Sequence, residues 1–175
     1  RRSSDLNANE SYFGIDEKMT LHIKTDICNL DLNRYPEDGS ELLKELYGGY
    51  AGVDKENIVV GNGSDEMIGL VIGLKIAKGK KLLTLNPDFS MYDYYVSMHS
   101  GEIVKYNTKE DGSFDIDKFI KLGKKENVDM IIFSNPNNPT GHAIEAFKIT
   151  KILEAFKDKV VLVDEAYYEF FGESM

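Results

Sequence analysis

MIIFSNPNNPTG, residues 130–141, joins a short apolar run to a stretch with three Asn and two Pro. A strand that only had to stop would need one turn residue. This segment stops and then displays side-chain amides on a backbone stiffened by Pro136 and Pro139. It reads as a strand over residues 130–133 with a site at its carboxyl end. Four other runs read as strands: 58–60, 81–85, 102–106 and 159–163. Apolar residues at helical spacing fill the intervals, over 40–51, 64–77, 88–99, 115–125 and 144–156. The alternation predicts an α/β fold of three layers, a mostly parallel sheet with helices on both faces. In such sheets ligands bind beyond the carboxyl ends of the strands. Residues 1–39 are polar and irregular and read as an arm, set apart from the sheet of residues 40–175.

Composition narrows the classes. The chain has 175 residues, 42% hydrophobic, which suits one domain with a real core. A net charge of -9 and a pI near 4.9 leave no basic face for nucleic acid or an anionic membrane. Cys28 is the one cysteine, so no internal disulfide can form, which fits a reducing cytoplasm. His22, His99 and His142 have no metal-ligand spacing, so no metal is expected. No apolar run reaches the roughly 20 residues of a membrane helix. The chain opens on Arg1-Arg2 rather than Met, so its start is expected upstream.

Four strand ends carry candidate residues, and each has a plain alternative. Gly61-Asn62-Gly63-Ser64-Asp65-Glu66 runs into a helix whose first N–H groups can hold a phosphate, or it is a loop with Ser64 as cap. A dinucleotide fingerprint would need Gly where Glu66 stands. Phe89, in Asn86-Pro87-Asp88-Phe89-Ser90-Met91-Tyr92, can lie flat on a planar ligand, or both aromatics are core. The amide of Asn138 can donate to a phenolate oxygen, or the whole stretch is a turn. Asp164 would be costly at the end of a buried strand unless it met a cation such as a pyridinium N–H, and Tyr167 could reach the same ring; otherwise Asp164 caps a helix. Taken together and in order, the four ends describe a ligand with a phosphate, a flat ring, a ring oxygen and a protonated ring nitrogen. Pyridoxal 5'-phosphate (PLP) meets all four requirements.

Six segments carry a resemblance: Leu6-Asn-Ala-Asn-Glu10, Asn33-Arg-Tyr-Pro36, Gly61 to Glu66, Pro87 to Tyr92, Ser134 to Gly141 and Asp164-Glu-Ala-Tyr167. On these the chain resembles the PLP-dependent aminotransferases of fold type I, and the first two point to the histidinol-phosphate branch. The resemblance implies that Ser64 and Asp65 bind the cofactor phosphate through backbone N–H groups. It implies that Phe89 stacks on the ring, that Asn138 and Tyr167 hydrogen-bond its O3', and that Asp164 pairs with its nitrogen. Asp164 and Tyr167 are thus the expected catalytic residues. Tyr35 is expected to reach the phosphate in a partner subunit, which implies a homodimer in which residues 1–39 contact the partner. The implied reaction is transamination of histidinol phosphate with 2-oxoglutarate, in the cytoplasm, as part of histidine biosynthesis.

The chain departs from the family in one respect. The family's Schiff-base lysine lies in an S-x-x-K motif beyond the DEAY motif, whereas this chain ends at Met175, and no [ST]-x-x-K occurs in it. The expectation is therefore the first half of such an enzyme, inactive alone. The family's sheet order also places residues 58–60 beside a strand from the later half, so they should find no partner here. Threonine-phosphate decarboxylase and other aminotransferases share these motifs. A non-catalytic fragment binding a phosphorylated ligand is the alternative of another class.

Overall fold

The computed structural model describes residues 13–35, 40–172 and 174. The motif at residues 6–10 and Pro36 lie outside them. The chain divides into two compact units at Val59/Val60.

In the first unit, helix α1 (Glu17–Cys28) is capped by Asp16, whose carboxylate accepts from the Met19 N–H at 2.7 Å. The expected irregular arm thus contains a 12-residue helix. Its capping acid, Asp16, is legible in the sequence, but no apolar stripe marks a buried face, and α1 buries no residue. Helix α2 (Glu41–Ala51) ends on Gly52, which takes the left-handed conformation at φ 68. A single 3-10 turn (Lys55–Asn57) follows. Ile58 is extended, yet residues 58–60 form no strand among the described residues. The strand expected there is therefore corrected: residues 58–60 carry no regular secondary structure. Among the described residues no strand pairs with them.

The second unit holds α3 (Gly63–Lys75), β1 (Lys81–Asn86), α4 (Met91–Met98), β2 (Glu102–Asn107), α5 (Ile116–Glu126), β3 (Met130–Ser134), α6 (Ala146–Ala155), β4 (Val160–Asp164) and α7 (Tyr168–Phe171). The four strands are parallel in the order β2-β1-β3-β4. Period-2 alternation sends Leu83, Leu85, Ile131 and Phe133 to one face, where Phe119 of α5 and Ile149 and Ile152 of α6 cover them. Leu82, Met130 and Ile132 go to the other face, under Ile68 and Ile72 of α3 and Tyr92 and Val96 of α4. This is the three-layer arrangement the alternation predicts.

Local chemistry sets the element ends. Asp115 caps α5 by accepting from Lys118 N–H at 3.1 Å, and Asn127 closes the helix at φ 50. Gly123 lets α5 approach the sheet. A Cβ there would stand 2.7 Å from Phe156 Cζ and 2.9 Å from Leu83 Cδ2, both buried. Gly123→Ala gains about 1 kcal/mol of helix propensity but overpacks a locked contact at ~1–3 kcal/mol. We expect a net loss of stability in urea denaturation. An unchanged or raised midpoint would show that Phe156 and Leu83 yield freely.

Candidate active site

The same alternation that builds the core places three polar residues on one face at the carboxyl end of the sheet. Thr84, Ser134 and Asp164 follow Leu82, Ile132 and Leu162 by two residues, so they share the α3/α4 face. All three are buried. Ser134 and Asp164 sit opposite each other in the β3/β4 register, and Asn135 N–H donates to Asp164 O at 2.8 Å.

Tyr92 reaches this face from α4. Its hydroxyl donates to Asp164 Oδ2 at 2.8 Å, and Ala166 N–H donates to Oδ1 at 3.2 Å. Burial, with the charges of Asp164 and Asp88 behind it, pushes the Tyr92 phenol well above its ordinary range. It is therefore a permanent donor. Among the described residues no Lys, Arg or His pairs with Asp164. A buried carboxylate held by neutral donors alone is set to meet a cation.

The Asn-rich stretch divides its labour. Asn135 Oδ1 accepts from Ile144 N–H at 2.7 Å and its Nδ2 donates to Ile144 O at 3.3 Å, tying the loop to its own return. Asn137 Oδ1 accepts from Thr140 Oγ1 at 2.7 Å, while its Nδ2 donates to Ser134 Oγ at 3.2 Å and Pro87 O at 3.4 Å. So the plain turn reading holds for two of the three amides. Asn138 is half-buried, its N–H donates to Ser134 Oγ at 2.9 Å, and none of these bonds uses its side chain. The peptide bonds before Pro87, Pro136 and Pro139 are cis.

Phe89 is half-buried and meets Tyr92 edge-on, ring centroids 5.6 Å apart. Ser64 and Asp65 lie in the first turn of α3, which the Asn62 side chain does not cap. Tyr95 packs over Gly69, where a Cβ would meet its ring at 2.8 Å, and burial and the Asp65 carboxylate both raise its phenol pKa. Asp65 is thus engaged through its side chain by α4. Tyr167 is half-buried just before α7, 6.4 Å from the Phe170 ring. Tyr35 belongs to the first unit and is 97% exposed.

Asp88 is the residue that sequence reasoning passed over. Its Oδ1 accepts from the Ser134 hydroxyl and from Phe89 N–H at 2.9 Å, joining two loops 46 residues apart. Its one sequence signal is an acid placed after a strand end, and contacts at that separation are invisible to local patterns. Loss of surrounding water pushes Asp88 up to about 6, against the Ser134 and Phe89 hydrogen bonds that favour its anion. Unfolded, it titrates near 3.8. Between these values the folded chain holds a proton that the unfolded chain has lost, so this residue's stabilising contribution falls as pH rises through that window. Asp88→Asn removes the penalty. Its advantage over wild type should grow from pH 4 to 7 by ~1–2 kcal/mol, allowing for the water that still reaches a half-buried group. Urea midpoints at both pH values test this, and a difference independent of pH would refute it.

Residues 4–175 match the family model for aminotransferase class I and II. The chain belongs to the class I and II aminotransferase family. It is 42% identical over 170 residues to a histidinol-phosphate aminotransferase of Clostridium novyi, covering 97% of this chain and 48% of that protein. A crystal structure of histidinol-phosphate aminotransferase from Sinorhizobium meliloti, in complex with pyridoxal-5'-phosphate, superposes with a TM-score of 0.83 at 26% identity. That alignment covers 93% of this chain and 44% of that one. The enzyme of that name from Clostridium acetobutylicum gives 0.76 at 31% identity, covering 91% and 46%. The chain spans about half the length of the curated relatives it matches. The aminotransferase fold expected from the motifs is therefore present over this half.

Proposed function

We propose that these residues form the cofactor-binding half of a PLP-dependent aminotransferase that acts on histidinol phosphate with 2-oxoglutarate. One observation carries the reading: Asp164, buried at the carboxyl end of β4, has neutral donors around it and no cation among the described residues. A protonated pyridine nitrogen supplies that cation. When bound, PLP provides the electron sink that lowers the cost of negative charge at the substrate Cα.

The residues fit the rest of the group. Asp164, oriented by Tyr92, holds the proton on the ring nitrogen. Phe89 supplies a face for the ring. Asn138 and Tyr167 orient it through O3'. The uncapped first turn of α3, at Ser64 and Asp65, takes the phosphate on its N–H groups. Tyr35, exposed on the first unit, is assigned to the phosphate in a partner subunit, which makes the whole protein a homodimer. Among the described residues no helix is long and apolar enough to cross a membrane. A cytoplasmic site of action follows from the biosynthetic reaction proposed.

The test uses the whole protein containing this chain, loaded with PLP and given histidinol phosphate and 2-oxoglutarate. Glutamate should form. Carbon dioxide release from threonine phosphate in its place, or no glutamate, would overturn the substrate assignment. Phe89→Ala should weaken PLP affinity about tenfold with a smaller effect on turnover at saturation. Unchanged affinity would remove Phe89 from the ring face.

A further inference from the structure

The Ser134 hydroxyl has a determined hydrogen-bond pattern. Its oxygen accepts from Asn138 N–H at 2.9 Å and from Asn137 Nδ2 at 3.2 Å. Both lone pairs are then used, and its single proton must go elsewhere. It goes to Asp88 Oδ1, a charged acceptor in direct contact, with the Tyr92 hydroxyl also beside it. The same carboxylate accepts from Phe89 N–H at 2.9 Å, from Ser134 N–H at 3.4 Å and from Thr84 Oγ1 at 3.4 Å. Asp88 therefore faces donors from β1, from the segment after it and from β3, with Asp164 the nearby charge. It does not serve as a helix cap, since the residue preceding α4 is Ser90.

We propose that Asp88 is a positioning residue for the cofactor site: by fixing the Ser134 hydroxyl it sets the loop that presents Asn138, while its bond to Phe89 N–H sets the ring-facing aromatic. This rests on the PLP reading above. Asp88 touches no ligand itself and acts through two residues that do, or that hold one that does. The requirement is for an acceptor oxygen at Oδ1. A side chain that keeps one keeps the function, and one that lacks it frees the Ser134 proton and leaves two loops unjoined.

The experiment titrates PLP into the whole protein as wild type, Asp88→Ala, Asp88→Asn and Ser134→Ala. It reads affinity and the visible circular dichroism of the bound cofactor, with far-ultraviolet melts as the folding control. Asp88→Ala should lose about tenfold or more in PLP affinity and change the dichroism per bound cofactor, which a purely structural role would not move. Asp88→Asn should stay within about threefold of wild type, because the amide oxygen still accepts. Should Asp88→Ala not fold, Ser134→Ala must show the altered dichroism in its place. Wild-type affinity and dichroism in every folded variant would overturn the assignment while leaving the cofactor reading intact. A loss in Asp88→Asn equal to that in Asp88→Ala would also overturn it. Wild type that takes up no PLP would remove the cofactor reading and this assignment together.

Discussion

Replacing Asp164 with Ala in the whole protein should lower turnover by ~10²–10³-fold, the size seen when one preorganised electrostatic group is removed. The loss should exceed any loss of PLP affinity. The carboxylate is buried at the end of β4 and accepts from the Tyr92 hydroxyl at 2.8 Å. On the proposed reading its contribution is its charge, which would keep a proton on the ring nitrogen. Asp164→Asn separates charge from shape. The amide oxygen can still accept from Tyr92, so packing is kept and the charge alone is lost. Both variants should therefore fall by similar factors in steady-state kinetics at saturating PLP. Near-normal turnover in Asp164→Asn would contradict the pyridinium role.

Phe119→Ala should cost ~3–5 kcal/mol of stability. Phe119 is fully buried in α5 and meets Phe114 at 5.4 Å, Tyr106 at 5.7 Å and Phe133 at 6.3 Å between centroids. The edge-on geometry adds to the area lost. Better helix propensity in Ala returns only about 0.5 kcal/mol. Phe119→Leu, which keeps most of the volume, should lose distinctly less. Urea denaturation of the two variants measures this, and equal losses would mean that the cluster collapses around either side chain.

The fold was legible where one local pattern sufficed. Residues 130–134 are apolar or small and every one is buried, and Asp115 begins the helix its position announces. Patterns that depend on a distant partner were not legible. The β-branched run at 58–60 has strand composition, but a strand needs a neighbour, and none pairs with it among the described residues. Helix α1 lacks the stripe that would reveal it. At the site, the placing of Asp164 was readable, because an acid closing an apolar strand stands at the strand's buried end. Asp88 was not, because its meaning lies in Ser134, 46 residues on. Tyr92 was read as a possible core residue. It is one, and its hydroxyl also serves Asp164.

The strand order carries one more consequence. From the end of β1 the chain leaves toward β2 through α4 on one face, whereas from the end of β3 it leaves toward β4 through α6 on the other. These two strands are neighbours, so β1 and β3 form the topological switch point of the sheet, and their outgoing loops part and open a crevice between them. Asp88 stands on one lip and Ser134 on the other. The crevice follows from connectivity alone and would exist for any sequence with this order. The Ser134 hydroxyl donates to the Asp88 carboxylate across it, so the two lips are tied together.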